Sequence, residues 1–289
     1  AYDLIYKIIR NEIERHSELL TSDRISIYEK KYLTSMLDGT ANENDVAFAF
    51  LNLSRMLHAH YNVAPIIIID EYDTPIQQGY MRGHYEKIID FMRALFSGGL
   101  KDNPHLSYGF LTGILRVAKE SIFSGLNNLK INSILDNRYS EYFGFTTEEV
   151  MEMAEYYGTP EKFNEISEWY DGYCTAARGR IYNPRSIVCA LFDNQLSNYW
   201  TSSRPYDEIF YYVRNDIKNI RNDLVLMVIG ERVNAKIGDF AAVSMELKTK
   251  NQIYSAMVIY GLLTYNNGQV FIPNKELMLK YDELLFRES

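Results

Sequence analysis

Pro65-Ile66-Ile67-Ile68-Ile69-Asp70-Glu71 decides the fold. Four consecutive β-branched residues form the pattern of a central parallel strand covered on both faces, and the run ends in two adjacent acids. Further along, a helical stretch from Tyr85 to Phe96 is expected to end at Gly98 and Gly99. Leu106 to Thr112 then reads as a second short buried strand before a polar turn. Strand, helix, strand at this spacing fits a βαβ crossover. Such a unit brings the C-terminal ends of both strands to one edge, where α/β proteins bind ligands. Upstream, Leu4, Ile5, Ile8, Ile9 and Ile13 recur at helical spacing, as do Phe50, Leu53 and Leu57, so two amphipathic helices around a polar turn are expected before the first strand.

Beyond Phe123 helix-start signals replace strands. Thr146 with Glu149 makes a capping box, Thr159 precedes Pro160, and Asn183 precedes Pro184. Near the C-terminus a helix through Ile253, Met257 and Tyr260 leads to Leu262–Tyr265, the turn Asn266-Asn267-Gly268, and Val270–Ile272. Helix, hairpin, helix predicts a winged-helix-like unit. The expected architecture is α/β, with a parallel-sheet core over residues 1–125, a helical region over 126–205 and the winged-helix-like unit over 206–289.

The 289 residues are 47% hydrophobic and carry a net charge of −8, which fits an ordinary globular protein with a sizeable core. No apolar run reaches the length of a membrane span, and Ala1 to Arg15 reads as a charged amphipathic helix instead of a signal peptide. Cys174 and Cys189 are too few for a disulfide framework and lack zinc-ligand spacing. A cytoplasmic, reducing location is expected. The acidic balance argues against a broad nucleic-acid surface. Tyrosine supplies 24 residues, which points to partly wet packing surfaces and interfaces.

A rigid strand that delivers Asp70 to a sheet edge lets its carboxylate hold Mg²⁺ through the ion's water shell. Glu71 is then placed to polarise an attacking water, and Asp73 can support either acid. This is the arrangement of the Walker B element of P-loop ATPases. The bland alternative is a strand that merely terminates in acids. At the end of the second strand, Thr112 can sense a γ-phosphate, and Arg116, one turn later, can stabilise charge built up in a transition state. Their bland alternatives are a turn threonine and an arginine on a helix surface.

Asp70-Glu71-Tyr72-Asp73-Thr74-Pro75, Leu111-Thr112-Gly113-Ile114-Leu115-Arg116, Phe123-Ser124-Gly125-Leu126-Asn127-Asn128, Phe143-Gly144-Phe145-Thr146, Trp169-Tyr170-Asp171-Gly172-Tyr173, Ile181-Tyr182-Asn183-Pro184 and Tyr199-Trp200 resemble, in order, the successive motifs of the predicted AAA-ATPase-like family. That family is similar to archaeal and signal-transducing P-loop ATPases, and its members often carry a PD-(D/E)XK nuclease-like domain after the ATPase part. The resemblance implies ATP and Mg²⁺ as cofactors. It places Mg²⁺ and water activation at Asp70 and Glu71, and a sensor threonine and arginine at Thr112 and Arg116. It also puts Tyr170, Asp171, Gly172 and Tyr173 in a signature loop, whose only physical reading from the sequence is a turn at Asp171-Gly172. The family opens with a loop ending in Gly-Lys-Thr or Gly-Lys-Ser. Nothing here matches G-x-x-x-x-G-K-[ST], and the first glycine is Gly39. The lysine loop is therefore expected before Ala1, and the chain by itself is expected to hydrolyse no ATP.

Two rival functions are weighed. One is a regulatory module in which nucleotide binding switches the helical and winged-helix parts toward a protein partner, with nucleic acid as the other partner such a unit can take. The other is a metal-dependent nuclease read through Asp239, Glu246 and Lys248, discounted because E-x-K triplets are common by chance. His58 and His60, two residues apart, fall on different faces of a helix and do not share a metal.

Overall fold

The computed structural model describes all residues except 1, 115, 118–121, 124–125, 127–128, 178, 201–212, 214–218, 238–240, 243–246, 248 and 288–289. Asp239, Glu246 and Lys248 thus lie outside the described residues, as do Ser124, Gly125, Asn127 and Asn128 of the third motif. The chain is mixed α/β and divides into two compact units. The first comprises residues 1–130 with 241–245, and the second 131–240 with 246–289.

In the first unit, α1 (Tyr2–Glu14) buries Ile5, Ile9 and Ile13, one apolar residue per turn. The helices that follow are defined by their caps. Ser26 and Glu29 close a capping box at the start of α2 (Ile27–Asp38), which stops at left-handed Gly39. Asn42 and Asp45 repeat the device for α3 (Glu43–Ala47), and α4 (Ala49–Tyr61) ends on left-handed Asn62. The two helices expected before the first strand are therefore four, with a 3-10 turn at Ser17–Thr21. Apolar spacing alone misses them because each new start is written in polar residues.

β1 (Ile66–Ile69) and β2 (Tyr108–Leu111) pair in parallel, with Ile66 opposite Tyr108 and Ile69 opposite Leu111. The crossover between them holds two helices, α5 (Thr74–Met81) and α6 (Tyr85–Leu100). Gly98 and Gly99 do not end α6; they lie inside it. A Cβ on Gly99 would sit 2.5 Å from Phe50 Cβ, and one on Gly98 would sit 3.1 Å from the Phe48 ring. The two glycines let the start of α4 approach α6 closely, a role that in sequence looks the same as a helix stop.

Burial of the two strands differs from expectation. Ile69 and Leu111 pack against the core formed by Met56, Ile88, Ile89, Met92 and Phe96. Side chains alternate across a strand, and the opposite face leaves Ile66 60%, Ile68 71%, Tyr108 71% and Phe110 58% exposed. β1 and β2 are covered on one face only. β3 (Arg116–Val117) is a two-residue strand paired in parallel with Ala241–Ala242, which is β7 in chain order. The backbone of Arg116 is thus extended and not helical.

The second unit holds α7 (Thr147–Tyr156), capped by Thr146 and Glu149, and α8 (Phe163–Tyr170). The hairpin of β4 (Tyr173–Cys174) and β5 (Arg180–Ile181) follows. α9 (Pro184–Asp193) begins where the Asn183 side chain accepts from the Arg185 and Ser186 amides. After α10 (Ile220–Val228), β6 (Val233–Asn234) joins a three-stranded antiparallel sheet in the order β6, β9, β8. α11 (Lys250–Ile259) precedes β8 (Thr264–Asn266) and β9 (Gln269–Phe271), and α12 (Lys275–Asp282) closes the unit. The turn Asn267-Gly268 has φ of 49° and 83°, the two positive values a tight hairpin needs. The helix, hairpin, helix order is as expected.

Candidate functional site

The candidate residues of the first unit gather where β1 and β2 end. Thr112 donates its amide to Ile69 O at 2.9 Å, and its own carbonyl accepts from the Tyr72 amide at 3.0 Å. In a regular parallel ladder one residue bonds partners two apart. Ile69 and Tyr72 are three apart, so the end of β1 carries one extra residue, a bulge. Glu71 absorbs it with φ of 52°, the left-handed region that non-glycine residues seldom enter. Bulges of this kind re-aim side chains at the ends of strands.

Asp70 and Glu71 are both exposed at this bulge. Asp70 Oδ1 accepts from the Glu71 amide at 2.9 Å and also from the Thr112 hydroxyl. The residues that directly follow the two parallel strands, Asp70 after β1 and Thr112 after β2, are thus tied through their side chains. A carboxylate offers about four lone-pair sites, so these two bonds do not exhaust Asp70.

Asp73 is buried at 1% exposure. Gln77 Nε2 donates to its Oδ2 at 2.9 Å, and its carbonyl accepts the Ile76 and Gln77 amides, which start α5 behind Pro75. A Cβ on Gly113 would lie 2.6 Å from Asp73 Oδ1 and 2.7 Å from the Tyr72 ring, so the residue after Thr112 has to be small. The Tyr72 ring in turn meets Phe96 and Phe123 edge-on. Asp70, Glu71, Asp73 and Thr112 are therefore brought together. Of Arg116 only the backbone, in β3, is described. Gln77 and Gly113 were not singled out from the sequence; Pro75, at the first turn of a helix, was the available signal for the first of them.

In the second unit the signature loop acquires a physical account. The Tyr170 hydroxyl donates to Ser197 O at 2.8 Å and accepts the Ser197 amide at 3.0 Å, while Tyr170 O accepts from Asn274 Nδ2 at 3.4 Å. Gly172, at φ of 124°, passes so close to Pro273 that a Cβ would lie 1.9 Å from its carbonyl oxygen. The Tyr173 hydroxyl donates to Gly261 O, and the Cys174 amide to Thr264 Oγ1. Glu276, fully buried on α12, accepts from the Ser186 hydroxyl at 2.9 Å and from the Tyr199 and Trp200 amides at 2.8 and 2.9 Å. Burial pushes the Glu276 carboxyl above the usual range, against the pull of those hydrogen bonds. The motifs Trp169–Tyr173 and Tyr199–Trp200 thus converge on α12 and the residues just before it, joined there by Ser186, whose helix Asn183 caps. They brace the unit internally.

No group of three or more His, Cys, Asp or Glu residues able to hold a metal ion occurs among the described residues, and no described helix is long and apolar enough to cross a membrane. His58 and His105 do meet, Nδ1 to Nδ1 at 3.3 Å.

Residues 4–123 match the family described as Predicted AAA-ATPase. The chain is also 32% identical over 166 residues to a protein of Azotobacter chroococcum mcd 1 described as "Uncharacterized protein in vnfD 5'region", across 56% of this chain and 31% of that protein. The alignment spans less than a third of that relative's length. No solved structure matches. The matched stretch contains β1, β2 and all five candidate residues, Asp70, Glu71, Asp73, Thr112 and Arg116, and over it the chain is similar to the predicted AAA-ATPases.

Proposed function

We propose that residues 1–130 supply the acidic, water-activating side of an ATP-hydrolysing P-loop ATPase. The observation that carries this reading is the bulged end of β1. It presents two neighbouring carboxylates at the rim of a parallel strand pair and ties the first of them to Thr112 on the adjacent strand. Asp70 is the magnesium residue. Mg²⁺ is bound through one or two carboxylates together with water and phosphate oxygens, and an exposed carboxylate held by a threonine hydroxyl and a backbone amide fits that role. When bound, the ion neutralises charge on the β- and γ-phosphates. Glu71 accepts the proton of the attacking water, Thr112 fixes Asp70 and faces the γ-phosphate, and buried Asp73 holds the α5 start from behind. Arg116 stabilises the charge of the transition state.

In this reading the helix, hairpin, helix arrangement of the second unit serves as a winged-helix-like module that engages a protein partner. Its support is the order of α11, the β8–β9 hairpin and α12.

The test is Glu71→Gln in the complete gene product. Loss of a general base lowers turnover by roughly 10²–10⁴-fold, and the amide keeps the shape of the site, so ATP should remain bound while hydrolysis stops. Turnover equal to the parent's would remove the base assignment. Undiminished magnesium dependence in Asp70→Asn would remove the metal assignment.

A further inference from the structure

A cavity of about 410 Å³ opens in the second unit between the β4–β5 hairpin and the tip of the β8–β9 hairpin. Its polar lining comes from Thr175, Arg180, Arg232, Asn266 and Asn267, with Phe271 as one wall and Cys174 beside it. In a chain of net charge −8, this cavity has two arginines and no carboxylate among its lining residues. We propose that it is a binding site for a small phosphate-bearing molecule, separate from the residues assigned to ATP hydrolysis.

Three features carry this inference. Arg232 lies with its guanidinium carbon 4.2 Å over the Phe271 ring. Stacking fixes the plane of the fork while leaving its N–H groups at the edge, and among the described residues Arg232 has no carboxylate partner. Arg180 donates one N–H to Asp171 Oδ2 at 3.2 Å; a guanidinium has five such donors, so one long bond leaves most of them for a ligand. The Gly179 carbonyl is turned toward Thr175, accepting both its amide and its hydroxyl. The remaining polar groups include the side-chain amides of Asn266 and Asn267, exposed at the hairpin tip. Two forks and two amides around one cavity suit tetrahedral phosphate oxygens better than a single planar carboxylate. The volume lies in the range of small-molecule sites.

Pyrophosphate titrated into the 289-residue chain in EDTA, followed by calorimetry, should bind. Arg180→Gln and Arg232→Gln should each weaken it by about tenfold or more, the loss expected for one charge-assisted hydrogen bond, while Asp70→Asn should leave it unchanged. In a Cys189→Ser background, pyrophosphate should slow alkylation of Cys174. The proposal is overturned if pyrophosphate does not bind, if neither arginine variant weakens it, if Asp70→Asn abolishes it, or if Cys174 gains no protection. A short DNA duplex that binds through these arginines when pyrophosphate does not would also overturn it, assigning the surface to nucleic acid instead.

Discussion

Gly172→Ala should be the most damaging conservative change in the second unit. The new Cβ would lie 1.9 Å from Pro273 O and 2.8 Å from its carbonyl carbon, and φ is +124°. The backbone conformation alone costs a residue with a Cβ about 1–3 kcal/mol. The clash adds a cost of its own because its target is backbone and cannot swing aside. Pro273 precedes Asn274, which caps α12 through the Leu277 amide and donates to Tyr170 O, and Glu276 follows two residues later. Moving Pro273 away therefore disturbs the helix start and the buried carboxylate together. Overpacking of this sort costs about 1–3 kcal/mol. The sum is centred near about 4 kcal/mol, a large share of the 5–15 kcal/mol that holds a domain together.

The assay is built into the chain. Its two tryptophans, Trp169 and Trp200, both belong to the second unit, so a thermal melt followed by tryptophan fluorescence reports that unit alone. For a unit of this size about 4 kcal/mol lowers the midpoint by roughly 8–16 °C. Gly158→Ala is the control. Gly158 has φ of +72°, and a Cβ there would meet nothing within 4 Å, so only the left-handed backbone cost of about 1–2 kcal/mol applies. If the two variants melt together, the close approach of Gly172 to Pro273 is not what the signature loop is for.

In the first unit, Gly99→Ala should weaken packing of α4 on α6 by about 1–3 kcal/mol. This should appear as a lower midpoint in far-ultraviolet circular dichroism, with the tryptophan melt unmoved; a parental midpoint in both would refute the close-packing role. Glu276 gives a pH dependence whose sign follows from burial raising its carboxyl in the folded state. As pH rises past about 4.5, the unfolded chain releases this proton first. The folded state then binds more protons, and stability falls until the raised folded value is passed. The stability of the parent minus that of Glu276→Gln should therefore decline as pH rises from about 4.5, read from tryptophan fluorescence in urea. A flat difference would mean that Glu276 is not held above its ordinary range.

Much of the order of elements was legible. The β-branched run before Asp70, the capping signals at Thr146 and Asn183, and Asn267-Gly268 each state a local conformational preference that the tertiary structure keeps. What was not legible depends on neighbours distant in sequence. Ile66 and Ile68 are as apolar as Ile67 and Ile69, yet only the second pair faces the core, because the coverage of a sheet face is decided by other segments. Gly98 and Gly99 give the same sequence signal whether they stop a helix or admit Phe48 and Phe50. At the candidate site, the types and spacing of Asp70, Glu71 and Thr112 were enough to nominate them. The bulge was hidden because glutamate, unlike glycine or asparagine, gives no sign of a left-handed backbone.

The motifs that carry the family resemblance are therefore under two different physical demands. Asp70 and Glu71 sit exposed at the end of a rigid strand, where a polar side chain adds little to stability and is open to a ligand. Tyr170, Gly172, Tyr182 and the amides of Tyr199 and Trp200 are turned inward, bonded to Ser197, Pro273, Ser167 and Glu276 or pressed against them. Under the proposed function, substitution in the first set should change turnover of the complete gene product at nearly constant melting temperature. Substitution in the second should lower the melting temperature first and alter activity only through it. A Tyr182→Phe variant that melted like the parent yet lost turnover would break this division, because its hydroxyl meets only Ser167 at 2.6 Å among the hydrogen bonds it makes in the described residues.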